Sequence, residues 1–148
     1  MAAPASTLHL LAQDPEDLKV VSAALQDAVC MIGDISYEPA ARRLTVVLNR
    51  FRWEAPAAKG GQRIRTALQF GGVSVVQALR LRREAKDAVL SLLSVAFEAG
   101  DAPSGVVSLN FAGGGALRAE VECLDAVLTD LSAPWPTPRR PVHDLFEG

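Results

Sequence analysis

Between Gly61 and Arg83 the chain reads GQRIRTALQF, then Gly-Gly, then VSVVQALRLRR. Two runs of alternating apolar residues meeting at a glycine pair are a strong short-range signal for a β-hairpin. A two-residue turn at Gly71-Gly72 pairs Phe70 with Val73 and fixes the register from there. Leu68 then faces Val75, Thr66 faces Gln77 and Ile64 faces Leu79, which makes one mostly apolar face. The other face sets Arg65 opposite Ala78 and Arg63 opposite Arg80, with Arg82 beyond. Like charges directly opposite each other on a sheet repel. This face therefore needs a neutralising partner: the protein's own carboxylates, solvent ions or an external anion.

The segments on either side continue the strand pattern. Thr7 to Ala12 reads as a short strand. Asp14-Pro15-Glu16-Asp17 is a helix start, with Asp14 as N-cap, Pro15 at the first helical position and acids in the first turn. Leu18, Val21, Leu25 and Ala28 recur at helical spacing, predicting a helix over about 15–27. Val29 to Glu38 and Leu44 to Trp53 read as strands. Val89 to Phe97 fits either period, and the Gly/Pro loop that follows favours strand. Val106–Phe111 and Ala116–Glu122 flank Gly113-Gly114-Gly115 as a second hairpin, with Phe111 opposite Leu117 and Leu109 opposite Ala119. Leu124, Val127, Leu128 and Leu131 predict a short final helix over Cys123–Leu131, which Pro134 and Pro136 prevent from continuing.

The expected fold is α+β: an antiparallel meander of about eight strands, curved or partly closed into a barrel, with a helix in the N-terminal half and a short C-terminal helix. A pleckstrin-homology-like barrel is one arrangement with this element order. The expected organisation is a flexible leader over 1–6, a single α+β domain over 7–133 and a Pro-rich extended tail over 134–148, docked by Trp135 and Phe146. With 148 residues, one core is feasible.

Charge is distributed unevenly. Residues 42–86 hold 11 Lys/Arg and 2 Asp/Glu, while the whole chain carries a net charge of −2. In a meander, the end of one strand lies beside the start of the next. Arg50 and Arg52, Arg63 and Arg65, then Arg80, Arg82 and Arg83 should accordingly gather at one end of the sheet. The near-neutral total argues against bulk nucleic-acid binding. The alternation of cations and aromatics in Asn49-Arg50-Phe51-Arg52-Trp53 fits burial of the rings better than base stacking. No apolar run is long enough to cross a bilayer as a helix, and the N-terminus lacks the basic region of a secretory signal. Cys30 and Cys123 sit in apolar runs with no Cys or His at ligand spacing, so they are expected to be reduced core residues, and no metal or cofactor is expected. His9 and His143 lie near opposite ends of the sequence, and no catalytic motif is present. Together these features predict a cytoplasmic protein.

The segments LAQDPEDLKVVSAALQDAV, LNRFRWE, VSLNFAGGGALRAEVECLDAVLTDLSAPW and the closing PVH resemble a small bacterial family, mainly alphaproteobacterial, classed as a domain of unknown function. The resemblance spans nearly the whole chain. It implies one compact domain and carries over no catalytic residues. The expected function is a non-enzymatic binding module that uses Arg50, Arg52, Arg63, Arg65, Arg80 and Arg82 toward an acidic protein or a phosphorylated small molecule. The alternatives are an enzyme of unrecognised type with its site in a barrel mouth, or a homo-oligomer assembled through exposed sheet edges.

Overall fold

The computed structural model describes residues 8–54 and 61–138. In chain order the elements are β1 (His9–Ala12), α1 (Pro15–Ala24), β2 (Val29–Met31), a 3-10 turn (Ile32–Asp34), β3 (Ile35–Glu38), β4 (Arg43–Phe51), β5 (Gly61–Phe70) and β6 (Val73–Leu79). They continue with β7 (Val89–Ala99), β8 (Gly105–Phe111), β9 (Ala116–Val121), β10 (Ala126–Asp130) and β11 (Trp135–Thr137). The strands form one open antiparallel sheet in the order β1-β10-β5-β4-β2-β7-β8-β9-β6, with β3 added to β4 and β11 added to β5. The protein is thus α+β as expected, with eleven strands among the described residues.

The two halves of the sheet meet at β2. Val29 pairs with Asn49 of β4 on one side and with Ser91 of β7 on the other. The two halves on either side of this three-residue joint share one core. Leu44, Val46 and Leu48 of β4, Leu68 and Phe70 of β5, and Ala126 and Leu128 of β10 supply one wall. Val107, Leu109, Leu117, Ala119 and Val121 supply the other. Helix α1 adds Leu18 and Val21, and its C-cap adds Leu25. Its start matches the sequence reading, with Pro15 in the first turn and the Asp14 carboxylate accepting the Asp17 amide at 2.8 Å. It ends before 27 because Asp27 adopts φ 64°, a left-handed conformation that Asp tolerates and a helix does not continue through.

The Gly71-Gly72 hairpin does not form. β5 pairs with β4 from Phe70↔Leu44 to Arg63↔Phe51 and with β10 from Phe70↔Ala126 to Thr66↔Asp130. Both edges of β5 are therefore taken, and β6 pairs with β9 instead. The glycine pair carries the chain from one half of the sheet to the other. The Gly71 amide donates to Asp125 O, the Gly72 carbonyl accepts from the Glu122 amide, and the Val73 amide donates to Arg42 O. Gly72 has φ 64°, which a residue with a Cβ adopts at a cost.

Two bulges reset the alternation that the sequence displays. On β6 the register steps from Val73↔Val121 to Val75↔Glu120, so Ser74 is an extra residue, and Val76 and Ala78 turn inward in place of Val75 and Leu79. On β7 it steps from Leu92↔Phe111 to Ser94↔Asn110, and Leu93 is left exposed. The inward residues Leu92 and Val95 are consequently three apart, which is why a strand here also satisfied helical spacing.

The second hairpin forms, shifted by two residues from the expected register. Leu109 faces Leu117, and Val107 faces Ala119. A shift of two leaves every side chain on its expected face. The C-terminal helix is replaced by β10, where Ala126, Leu128 and Asp130 are buried at a spacing of two that buried Leu124 begins just before the strand. The element that would cap a pleckstrin-homology-like barrel is thus an internal strand between β1 and β5. Trp135, at the start of the Pro-rich tail, pairs with Arg63 as part of β11. The leader over 1–6 and Phe146 lie outside the described residues.

Candidate functional site

Leu44, Val46, Leu48 and Arg50 occupy alternate positions of β4 on one row, so Arg50 points into the protein and is fully buried. On β10 the row Ala126, Leu128, Asp130 does the same for a carboxylate. The two meet: Arg50 Nε donates to Asp130 Oδ1 at 2.9 Å and Nη2 donates to Oδ2 at 2.7 Å. The remaining donors of the guanidinium reach both oxygens of Glu54, each at 2.9 Å. The Leu8 amide also donates to Asp130, at 2.7 Å. Burial alone would lower the Arg50 pKa and raise those of the two acids. The hydrogen bonds and charges of the cluster outweigh burial, leaving the Arg50 pKa raised and the Asp130 and Glu54 pKa values lowered.

The neighbouring arginines are also engaged within the fold. Arg52 is mostly buried, donates to Gln62 and lies 3.5 Å from Glu54. Arg63 donates to the carbonyls of Asn49 at 3.1 Å and Asp27 at 3.4 Å, and its guanidinium lies 5.9 Å from the centre of the Phe51 ring. Burial lowers the pKa of Arg63. Arg65 donates to Asn49 Oδ1 at 3.2 Å and pairs with Asp34 at 3.6 Å. Phe51 and Trp53 pack with ring centres 4.7 Å apart, and Phe51 is fully buried.

Arg80 and Arg82 lie elsewhere. They follow β6, which pairs with β9, so Arg63 and Arg80 are not cross-strand neighbours. The seven arginines therefore divide into a β4–β5 group, held by internal partners, and an exposed group after β6. Among the described residues, Arg80, Arg82, Arg83 and Lys86 form no ion pair. No group of three or more metal-ligating side chains occurs among the described residues. His9 lies 3.2 Å from Thr129 Oγ1, and His143 is outside the described residues.

Two of these cations, Arg83 and Lys86, line a cleft of about 350 Å³, a size at the lower end of ligand sites. It lies between β3 and β6, each of which has a single strand partner among the described residues. Ile35 and Tyr37 line it from β3, Val76 and Ala78 from β6, and Leu44 and Leu117 from beneath. Ile32, Leu81, Arg83 and Lys86 complete the lining. The seam is tied at both ends. Tyr37 Oη donates to Val73 O at 2.8 Å, and the Gly33 amide donates to Lys86 O at 2.9 Å. Between the ties the cleft offers an apolar floor with two cationic groups.

The cleft was not legible in the sequence. Its two walls lie about forty residues apart and are brought together by pairings of β4 and β9, to which the local pattern gives no clue. The one signal was the run Arg80-Leu81-Arg82-Arg83, whose charges have no acidic neighbour at the expected cross-strand positions.

The fold and cleft define an open antiparallel sheet of an α+β protein with a partly apolar seam. The chain belongs to the family described as "Protein of unknown function (DUF2948)", whose model matches residues 8–143. No curated protein and no solved structure matches the chain.

Proposed function

We propose that this protein is a non-enzymatic binding module whose ligand has an apolar body and an anionic head, seated in the cleft between β3 and β6. The observation that carries this reading is the combination of an apolar floor with unpaired cations at one seam of the sheet. Arg83 and Lys86 would meet the anionic head. The other four arginines, Arg50, Arg52, Arg63 and Arg65, serve the fold through internal hydrogen bonds. The lining side chains favour binding over catalysis. Their one hydroxyl, on Tyr37, already donates to Val73, and the remaining polar groups are cations suited to holding an anion.

The test uses anilinonaphthalene sulfonate, an aromatic body with an anionic head, titrated by fluorescence. One site per chain is expected. Arg83→Ser with Lys86→Ser should weaken binding about tenfold, equivalent to roughly 1.4 kcal/mol, and the wild-type affinity should fall as salt screens the cations. Ala78→Trp should fill the cleft and abolish this site. Unchanged affinity in both variants, with circular dichroism showing them folded, overturns the reading.

A further inference from the structure

We infer that the ligand of this cleft is an extended, acidic segment of another protein, which adds as a strand to the free edge of β6. The inference rests on the binding reading above and narrows it from any amphipathic anion to a peptide.

β6 ends the sheet, and among the described residues it pairs with β9 alone. An edge strand presents a row of backbone donors and acceptors, which proteins usually protect with charge, proline or distortion. The β6 sequence VSVVQAL has no charged residue and no proline. Its one irregularity, the bulge at Ser74, lies at the start of the strand and leaves Val75 to Leu79 in regular register with β9. Val76 and Ala78 then form part of the cleft wall, so the regular part of the edge borders the apolar floor. An added strand would place alternate side chains over Leu44, Leu81 and Leu117 while its backbone pairs with β6.

Two further observations select the occupant. The first is charge. Arg83 and Lys86, in the segment after β6, line the cleft, are exposed, and are free of ion pairs among the described residues. They suit an acidic segment and disfavour a neutral or basic one. The second is room. β3 forms the opposite wall, tied to β6 through Tyr37 and Val73. A second copy of this protein would bring its own β6 with β9 already attached, a two-strand edge that meets β3. A lone extended peptide has no such attached neighbour.

The experiment uses a fluorescein-labelled hexapeptide of alternating Asp and Val, with fluorescence anisotropy as the readout. Two further versions carry backbone N-methyl groups on alternate residues, one in each register, and therefore leave the protein itself unaltered. The wild-type protein should bind the parent peptide and release anilinonaphthalene sulfonate. One N-methylated register should bind at least tenfold more weakly, because it removes the donors that face β6. The other should stay within about twofold of the parent. Arg83→Ser with Lys86→Ser should weaken the parent peptide as it weakens the sulfonate. Equal binding of the two N-methylated registers overturns strand addition. Sulfonate binding that still responds to the rim substitutions but is not displaced by the peptide also overturns it, while leaving the broader binding reading intact. Self-association detected by sedimentation, with no peptide binding, assigns the edge to a second copy and overturns the inference too.

Discussion

Replacing Arg50 with methionine removes the cation from a cluster that includes a fully buried carboxylate. In the wild type, Asp130 receives two hydrogen bonds from Arg50 and one from the Leu8 amide, and neither Arg50 nor Asp130 has an exposed side chain. Methionine leaves Asp130 buried without the Arg50 cation, with the Leu8 amide still donating to it and the second acid, Glu54, nearby. Breaking a buried pair by removing one partner costs about 3–5 kcal/mol. For a chain of this size that corresponds to a fall in melting temperature on the order of 10 °C. The loss should also depend on pH with a definite sign. In the wild type the folded-state pKa of Asp130 is depressed, so its contribution is present above the unfolded value of about 3.9 and is lost as pH falls through the folded value. In the variant, burial without Arg50 pushes Asp130 the other way, and protonation relieves the folded state. The stability difference between wild type and Arg50→Met should therefore shrink as pH falls from 7 toward 4. Urea unfolding at a series of pH values measures it. A difference below about 1 kcal/mol at pH 7, or one that grows on acidification, would refute the reasoning. Arg50→Met combined with Asp130→Leu should recover most of the loss, since a well-packed apolar pair often matches a buried ion pair in stability.

Three other outcomes follow from the fold. In a Cys123→Ser background, Gln69→Cys with Val127→Cys should oxidise to a disulfide, because these residues face each other on β5 and β10; Gln69→Cys with Ser74→Cys, the neighbours in a Gly-Gly hairpin, should not. A thiol reagent at pH 8 should modify exposed Cys123 rapidly and Cys30 only on unfolding, since burial first and the Asp34 charge second push the Cys30 thiol up to about 12; mass spectrometry of the labelled peptides distinguishes the two. Leu128→Ala, at a fully buried position of β10, should cost about 2–5 kcal/mol in chemical denaturation.

The parts of the fold that were legible are those where local pattern and final environment agree. The capped start of α1 and the alternation of β4, β5, β8 and β9 needed no knowledge of distant partners. β10 misled because Leu124, Val127, Leu128 and Leu131 have helical spacing, while burial in a strand between β1 and β5 selects Leu124, Ala126, Leu128 and Asp130. The Gly-Gly turn misled for a related reason. Two apolar strands joined by glycines suit a hairpin or a passage between sheet halves equally well, and the choice was made by β10 claiming the edge of β5. The internal role of Arg50 was partly visible, since it continues the buried row Leu44, Val46, Leu48. Its partner Asp130 lies eighty residues further on, inside a segment whose secondary structure was misassigned.

The pairing of β10 with both β1 and β5 has a consequence for how the protein is made. While the ribosome is still synthesising the middle of the chain, β4 and β5 are available, but the strand that completes their half of the sheet is not. Arg50 then has Glu54 nearby and no Asp130, and β1 has no strand partner. The nascent chain can therefore close its first wall only when residues near 130 emerge, so the native core forms late and largely at once. Contacts of such long sequence separation slow folding, and a chain terminated before β10 would leave a charged, apolar-faced sheet edge exposed to quality-control proteases.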